Sequence, residues 1–144
     1  DEEYRSFASN HRSAVNSIAM ALLDRDQIDR AAEVLNKGLE VMPDEAIPYD
    51  LSSGQSVPLF FEVGEDDKAL DIVDKVSKRS LDMIEFYLQE NRDYDRDMMI
   101  SIEMIRYFIP LLEERGYTEK AEELQLRMDS LLGPQESGGL RPTR

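Results

Sequence analysis

Three sets of residues in this chain have types and spacings that could do chemistry. Asp93, Asp95 and Asp97 alternate through Asp-Tyr-Asp-Arg-Asp as the first ligands of a calcium loop do. Such a loop needs a glycine at its sixth position and a bidentate glutamate at its twelfth, and Met98 and Met104 stand there instead. The run reads as a capped helix start, with Asp95 complementing the helix dipole. Glu113-Glu114 and Glu122-Glu123 are paired carboxylates such as a glycosidase uses, where two groups face each other across about 5 to 9.5 Å. Adjacent acids on exposed helix faces are ordinarily solvated charge. His11 is the only histidine and cysteine is absent. Neither a zinc site nor a nucleophile–base pair can be assembled around it, and a helix-packing role is expected.

The sequence also offers no set of nucleophile, base and oxyanion-hole donors and no glycine-rich phosphate loop. The expectation is a domain with no catalytic residues, no metal and no cofactor, and an acidic-residue hydrolase is the weakest reading. Charge narrows the partners: 31 acidic residues against 17 basic ones give a net charge of −14, which repels nucleic acid and anionic lipid. Without cysteine there are no disulfides, but the compartment stays open on that evidence. No apolar run approaches the roughly 18 residues of a membrane span, and Asp1-Glu2-Glu3 lacks the basic end of a secretion signal, so the fragment is expected to be soluble.

The scaffold is more legible than any site. A phrase of acid, base and alanine followed by apolar residues at helical spacing occurs three times: Asp29-Arg30-Ala31, Asp67-Lys68-Ala69 and Glu119-Lys120-Ala121. The alanines lie 38 and 52 positions apart, which brackets the period of helical-hairpin repeats. Small residues there let paired helices approach, with larger neighbours filling the grooves.

The periodicity predicts six helices and no strand. The first has a stripe of Tyr4, Phe7, Ala8, His11, Val15, Ile18, Ala19 and Leu22 and ends near Asp24. The second is capped by Asp26 and stops at Pro43. Between Pro43 and Pro58 the text is rich in turn formers, which predicts a third helix from about Ser56 to Val63, closed by Gly64. The fourth runs on past Ala69 to about Asn91. The fifth, capped by Asp95 and ended by Gly116, is apolar around most of its circumference, with Met98, Met99 and Met104 as core filler and a kink expected at Pro110. Thr118 is expected to cap the sixth. The hairpins are therefore 4–42, 50–91 and 95–132 within a repeat domain at 1–132, followed by a tail at 133–144 too poor in apolar residues to fold alone.

Ile18, Ala19, Leu22, Ala31, Leu35, Gly38 and Pro43 fall at the spacings the tetratricopeptide repeat uses, and the first hairpin resembles that repeat. The second and third copies drift from it, with Gly54, Pro58 and Gln125 at odds with its pattern. The resemblance implies an all-α, right-handed array of helical hairpins. It turns Asn16, Met20, Leu23, Phe61 and Arg106 toward a concave groove, where they are candidate partner-binding residues or simple packing residues.

Longer phrases carry a narrower resemblance. Residues Tyr4 to Asn10, the loop Met42 to Asp50, the Gly64-Glu65 turn before Lys68-Ala69, and Glu85 to Leu88 resemble the soluble C-terminal part of the Bacteroidetes DUF2723 membrane protein family. That family is similar to protein O-mannosyltransferases and other lipid-linked-sugar glycosyltransferases. The likeness covers residues 4 to 132 and implies a piece of a multi-spanning protein whose active site lies in the membrane half. It further implies an interaction or scaffold domain that binds a protein, a peptide or the membrane portion of its own polypeptide, on the periplasmic side of the cytoplasmic membrane. The alternative is a purely structural extension that orients the membrane enzyme and has no separate ligand.

Overall fold

A computed structural model describes residues 1–92 and 95–133. Six helices carry them: α1 (Glu2–Leu23), α2 (Ile28–Val41), α3 (Leu51–Glu62), α4 (Asp66–Gln89), α5 (Arg96–Glu114) and α6 (Thr118–Leu132). The described residues contain no strand, so the all-α expectation holds. Asp93 and the tail beyond Gly133 lie outside the described residues, and the expectations placed on them go no further.

Local chemistry sets the helix ends. Asp1 caps α1 by accepting from the Glu3 amide at 3.2 Å, with Glu2 and Glu3 in the first turn beside the dipole's positive end. Asp26 is not the cap of α2. It adopts a left-handed conformation, φ 57°, which a short polar side chain tolerates, and the cap position passes to Gln27. Thr118 likewise is the first residue of α6, capped at Tyr117. Gly64 and Gly116 take φ +80° and +87° just past α3 and α5, where a side chain would be strained.

The third helix corrects the sequence reading most. It begins at Leu51, not near Ser56, because Asp50 and Ser53 form a capping box. The Asp50 carboxylate accepts from the Ser53 amide at 3.1 Å, and the Ser53 hydroxyl accepts from the Asp50 amide at 3.2 Å. Two reciprocal bonds satisfy amides that would otherwise be orphaned, and the helix carries Gly54 and Pro58 inside it. Pro110 is similarly contained within α5.

The chain divides into two compact units, Asp1–Val76 and Ser77–Arg144, with the boundary inside α4. In the first unit α1 packs on α2 and α3, and α2 on α3. Its core includes Ala8, Ala19, Ala31, Leu35, Val57, Phe60, Ala69, Ile72 and Val73. Close approach is enforced at Gly38, where an added Cβ would stand 3.0 Å from Val15 Cγ1. In the second unit α5 packs on α6, and Met98, Ile102, Met104, Ile105, Phe108, Leu112, Ala121, Leu124 and Met128 are buried. Met99 is 45% exposed and is not core filler.

Candidate functional site

The buried face of α1 follows only in part the stripe its apolar residues predict, which Ala8 and Ala19 share. Tyr4, Phe7 and Ile18 are exposed, and the face that packs is Ala8, Arg12, Asn16 and Ala19. Two polar side chains are thus inside the fold. A buried guanidinium is tolerable only when paired and hydrogen-bonded, and Arg12 is both. It donates through Nη1 to the Pro48 carbonyl at 3.0 Å, and through Nη2 to those of Met42 at 3.3 Å and Ile47 at 2.6 Å. Its Nη1 lies 3.5 Å from Asp50 Oδ2, and the guanidinium carbon sits 5.5 Å from the centroid of the Tyr49 ring. One side chain therefore binds nearly the whole connection between α2 and α3. Asp44 reinforces it by accepting from the Tyr49 amide at 2.9 Å.

Around Arg12 the polar groups close on one another. Ser52 Oγ lies 3.1 Å from Ser9 Oγ and 3.0 Å from Ser13 Oγ, and the Asn16 amide donates to the Ser52 carbonyl at 2.9 Å. Beside them is a cavity of about 30 Å³ lined by Arg12, Asn16, Leu35, Gly38, Ser52 and Ser56, among others. That is room for a water beside polar side chains.

Tyr49 has Lys75 Nζ 5.7 Å from its ring centroid as well. Burial pushes its phenol above the ordinary tyrosine value; Lys75 opposes the shift, and Asp71, Asp44 and Glu45 add to it. Lys75 is raised in turn, chiefly by its bond to Asp71 at 2.9 Å.

In the second unit Asp95 is the N-cap of α5. Asp95 accepts from the Asp97 amide at 3.0 Å and from Arg92 at 2.6 Å, and its carboxyl titrates below the ordinary aspartate range for those reasons in that order. The Arg92 guanidinium lies 4.9 Å from the Tyr87 ring centroid. Among the described residues no three carboxylates or imidazoles are grouped to hold a metal. Glu113 and Glu114 are exposed side by side on α5, as are Glu122 and Glu123 on α6.

The five groove candidates separate. Asn16 and Phe61 are buried, at 8% and 3% exposure, and Asn16 is committed to Ser52; a partner-facing role does not suit either. Leu23 is half-buried. Met20 is 53% exposed and available. These four belong to the first unit, while Arg106 belongs to the second, exposed and 3.1 Å from Glu103. Arg106 also lines an open groove of about 480 Å³ with Glu103, Tyr107, Pro110, Leu111 and Glu114. Sequence reasoning missed Arg12. Its signal was the helical spacing of Arg12 and Asn16 between Ala8 and Ala19, two small residues of the apolar stripe itself.

Compared with protein-family models, curated proteins and solved structures, the chain matches none.

Proposed function

We propose that this chain is a non-catalytic helical-repeat domain, arranged as a tetratricopeptide-like right-handed array of hairpins, that serves as an interaction or scaffold module of a multi-spanning glycosyltransferase-like membrane protein. The observation that carries the reading is the use made of Arg12, Asn16, Asp50 and Asp95. Each is turned inward or onto a helix end and spent on backbone groups of the fold. The surface is left with apolar side chains that suit association, Met20, Met99, Ile100 and Tyr107 among them. No described helix is long and apolar enough to cross a membrane. Net charge keeps the domain off anionic lipid and suits a neutral or basic partner: a peptide, or a loop of the membrane portion itself. The side on which it works is the periplasmic one, as in the membrane family it resembles.

The reading as a purely structural extension draws on a separate observation, the burial of Asn16 and Phe61. Substituting exposed Met20 by serine distinguishes the two. An interaction module loses affinity for the parent's membrane portion with its melting temperature unchanged; a structural extension with no separate ligand shows no such loss.

A further inference from the structure

The outward face of α5 is apolar along its middle and acidic at its end. Ile100, Glu103, Tyr107, Leu111 and Glu114 recur at three- and four-residue steps and so share one stripe of the helix. It is not the face that packs, where Ile102, Ile105, Phe108 and Leu112 are buried. Ile100 is 39% exposed and Tyr107 38%, with Met99 beside them at 45%. Tyr107, Pro110 and Leu111 floor the open groove of about 480 Å³, and all of its lining among the described residues comes from α5. The charges along the stripe are unevenly answered. Glu103 has Arg106 at 3.1 Å. Glu113 and Glu114 occupy the last turn of α5, which holds no basic residue, at the negative end of the helix dipole. The nearest cation in sequence is the C-cap, Arg115, and from Glu113 to Glu123 the chain carries five glutamates against Arg115 and Lys120.

We infer that this stripe docks an extended peptide segment of a partner, with an apolar side chain of the segment on Tyr107 and Leu111 and a lysine or arginine at Glu113 and Glu114. Charge complementarity selects that occupant. A cation placed there offsets both carboxylates and the dipole's negative end. An acidic segment meets like charge at the same point, and a second copy of a chain at −14 is repelled. The helix also fixes the spacing. Tyr107 and Glu114 lie seven residues apart, about 10 Å along the axis, a span that an extended chain covers in about three residues. The segment therefore carries its cation about three residues from its apolar anchor. This deepens the reading of the chain as an interaction module, on which it rests, by naming the chemistry of a partner. The surface it uses is separate from Met20, which belongs to the first unit.

Amide NMR of the full chain, titrated with the synthetic peptide acetyl-Ser-Leu-Ser-Ser-Lys-Ser-amide, tests this. Two control peptides replace the lysine by glutamate and the leucine by serine. The expected result is a saturable shift of amides between Ile100 and Gly116, weakened about tenfold or more by either control. Added salt should weaken it as well. Tyr107→Ser, at an exposed position, and the pair Glu113→Gln with Glu114→Gln, which changes no side-chain volume and so keeps the test open should the first variant unfold, should each cost about tenfold in affinity. Met20→Ser should leave peptide binding unchanged. Absence of a saturable shift overturns the proposal, as do shifts centred outside α5, equal binding of the glutamate peptide, or indifference to both sets of substitutions. Anionic vesicles taken up on this stripe in preference to the peptide, or amide shifts there that depend on the concentration of the chain alone, also overturn it. A chain that ignores the peptide yet binds the parent's membrane portion through Met20 loses this docking surface while the interaction-module reading stands.

Discussion

Arg12 Nη2 donates to the carbonyl oxygen of Ile47 at 2.6 Å, across 35 positions of sequence. With the bonds to Met42 and Pro48 and the approach to Asp50, it fastens α1 to the connection that leads into α3. The geometry of the first unit thus hangs on one cation whose partners are mostly backbone carbonyls, groups that no sequence pattern displays.

Arg12→Met should therefore cost about 2 to 5 kcal/mol, since it removes a buried charge's hydrogen bonds and strands their acceptors. Arg12→Lys should recover only part of the loss, because an ammonium cannot reach several acceptors in a fixed fork. Urea unfolding of the two variants against the parent chain measures both.

Ala31 and Ala69 are fully buried, and the repeat register puts them at helix contacts. Leucine at either position adds atoms to filled space and should destabilise by about 1 to 3 kcal/mol. Neutral denaturation curves for both variants would mean that the two alanines do not sit at close helix contacts.

How much of this the sequence displayed depends on where each determinant lies. The six helices were legible because each has its own period and punctuation: Asp95, Gly64 and Gly116 were read at or beside their observed ends. The start of α3 was not, because Gly54 and Pro58 are loud breakers while the Asp50–Ser53 capping box is a quiet start signal. The packing face of α1 was read correctly at Ala8 and Ala19 and misread elsewhere for a tertiary reason. Tyr4, Phe7 and Ile18 looked like core, but the neighbours of α1 offer carbonyls and hydroxyls, and those select Arg12 and Asn16. Of the concave-groove residues on α1, Asn16 is buried, while Met20, one turn further along the helix, is exposed.

Phe61 and Met20 should respond in opposite ways. Phe61→Ser empties a buried position and should cost about 3 to 5 kcal/mol. Met20→Ser, at a half-exposed position, should stay within about 0.5 kcal/mol of the parent chain. Thermal melts of the pair separate packing from surface.

Asp95 predicts a pH dependence with a definite sign. Its folded carboxyl titrates below the ordinary aspartate range, first because the Asp97 amide donates to it and then because Arg92 is near. The cap's contribution is therefore fully present above that range and is lost as pH falls through the depressed value. An NMR titration of the Asp95 carboxyl should place its midpoint below that of an unfolded aspartate, and Asp95→Asn should remove this part of the acid sensitivity of α5. A midpoint at or above the ordinary value would contradict the capping account.

Isothermal titration of the 144-residue chain into the detergent-solubilised membrane portion of its parent protein tests the scaffold reading most directly. The expected result is a saturable complex whose affinity falls about tenfold with Met20→Ser while the melting temperature stays put. No binding at any ratio, with turnover of a lipid-linked sugar by the chain alone that a single acidic substitution abolishes, would contradict it.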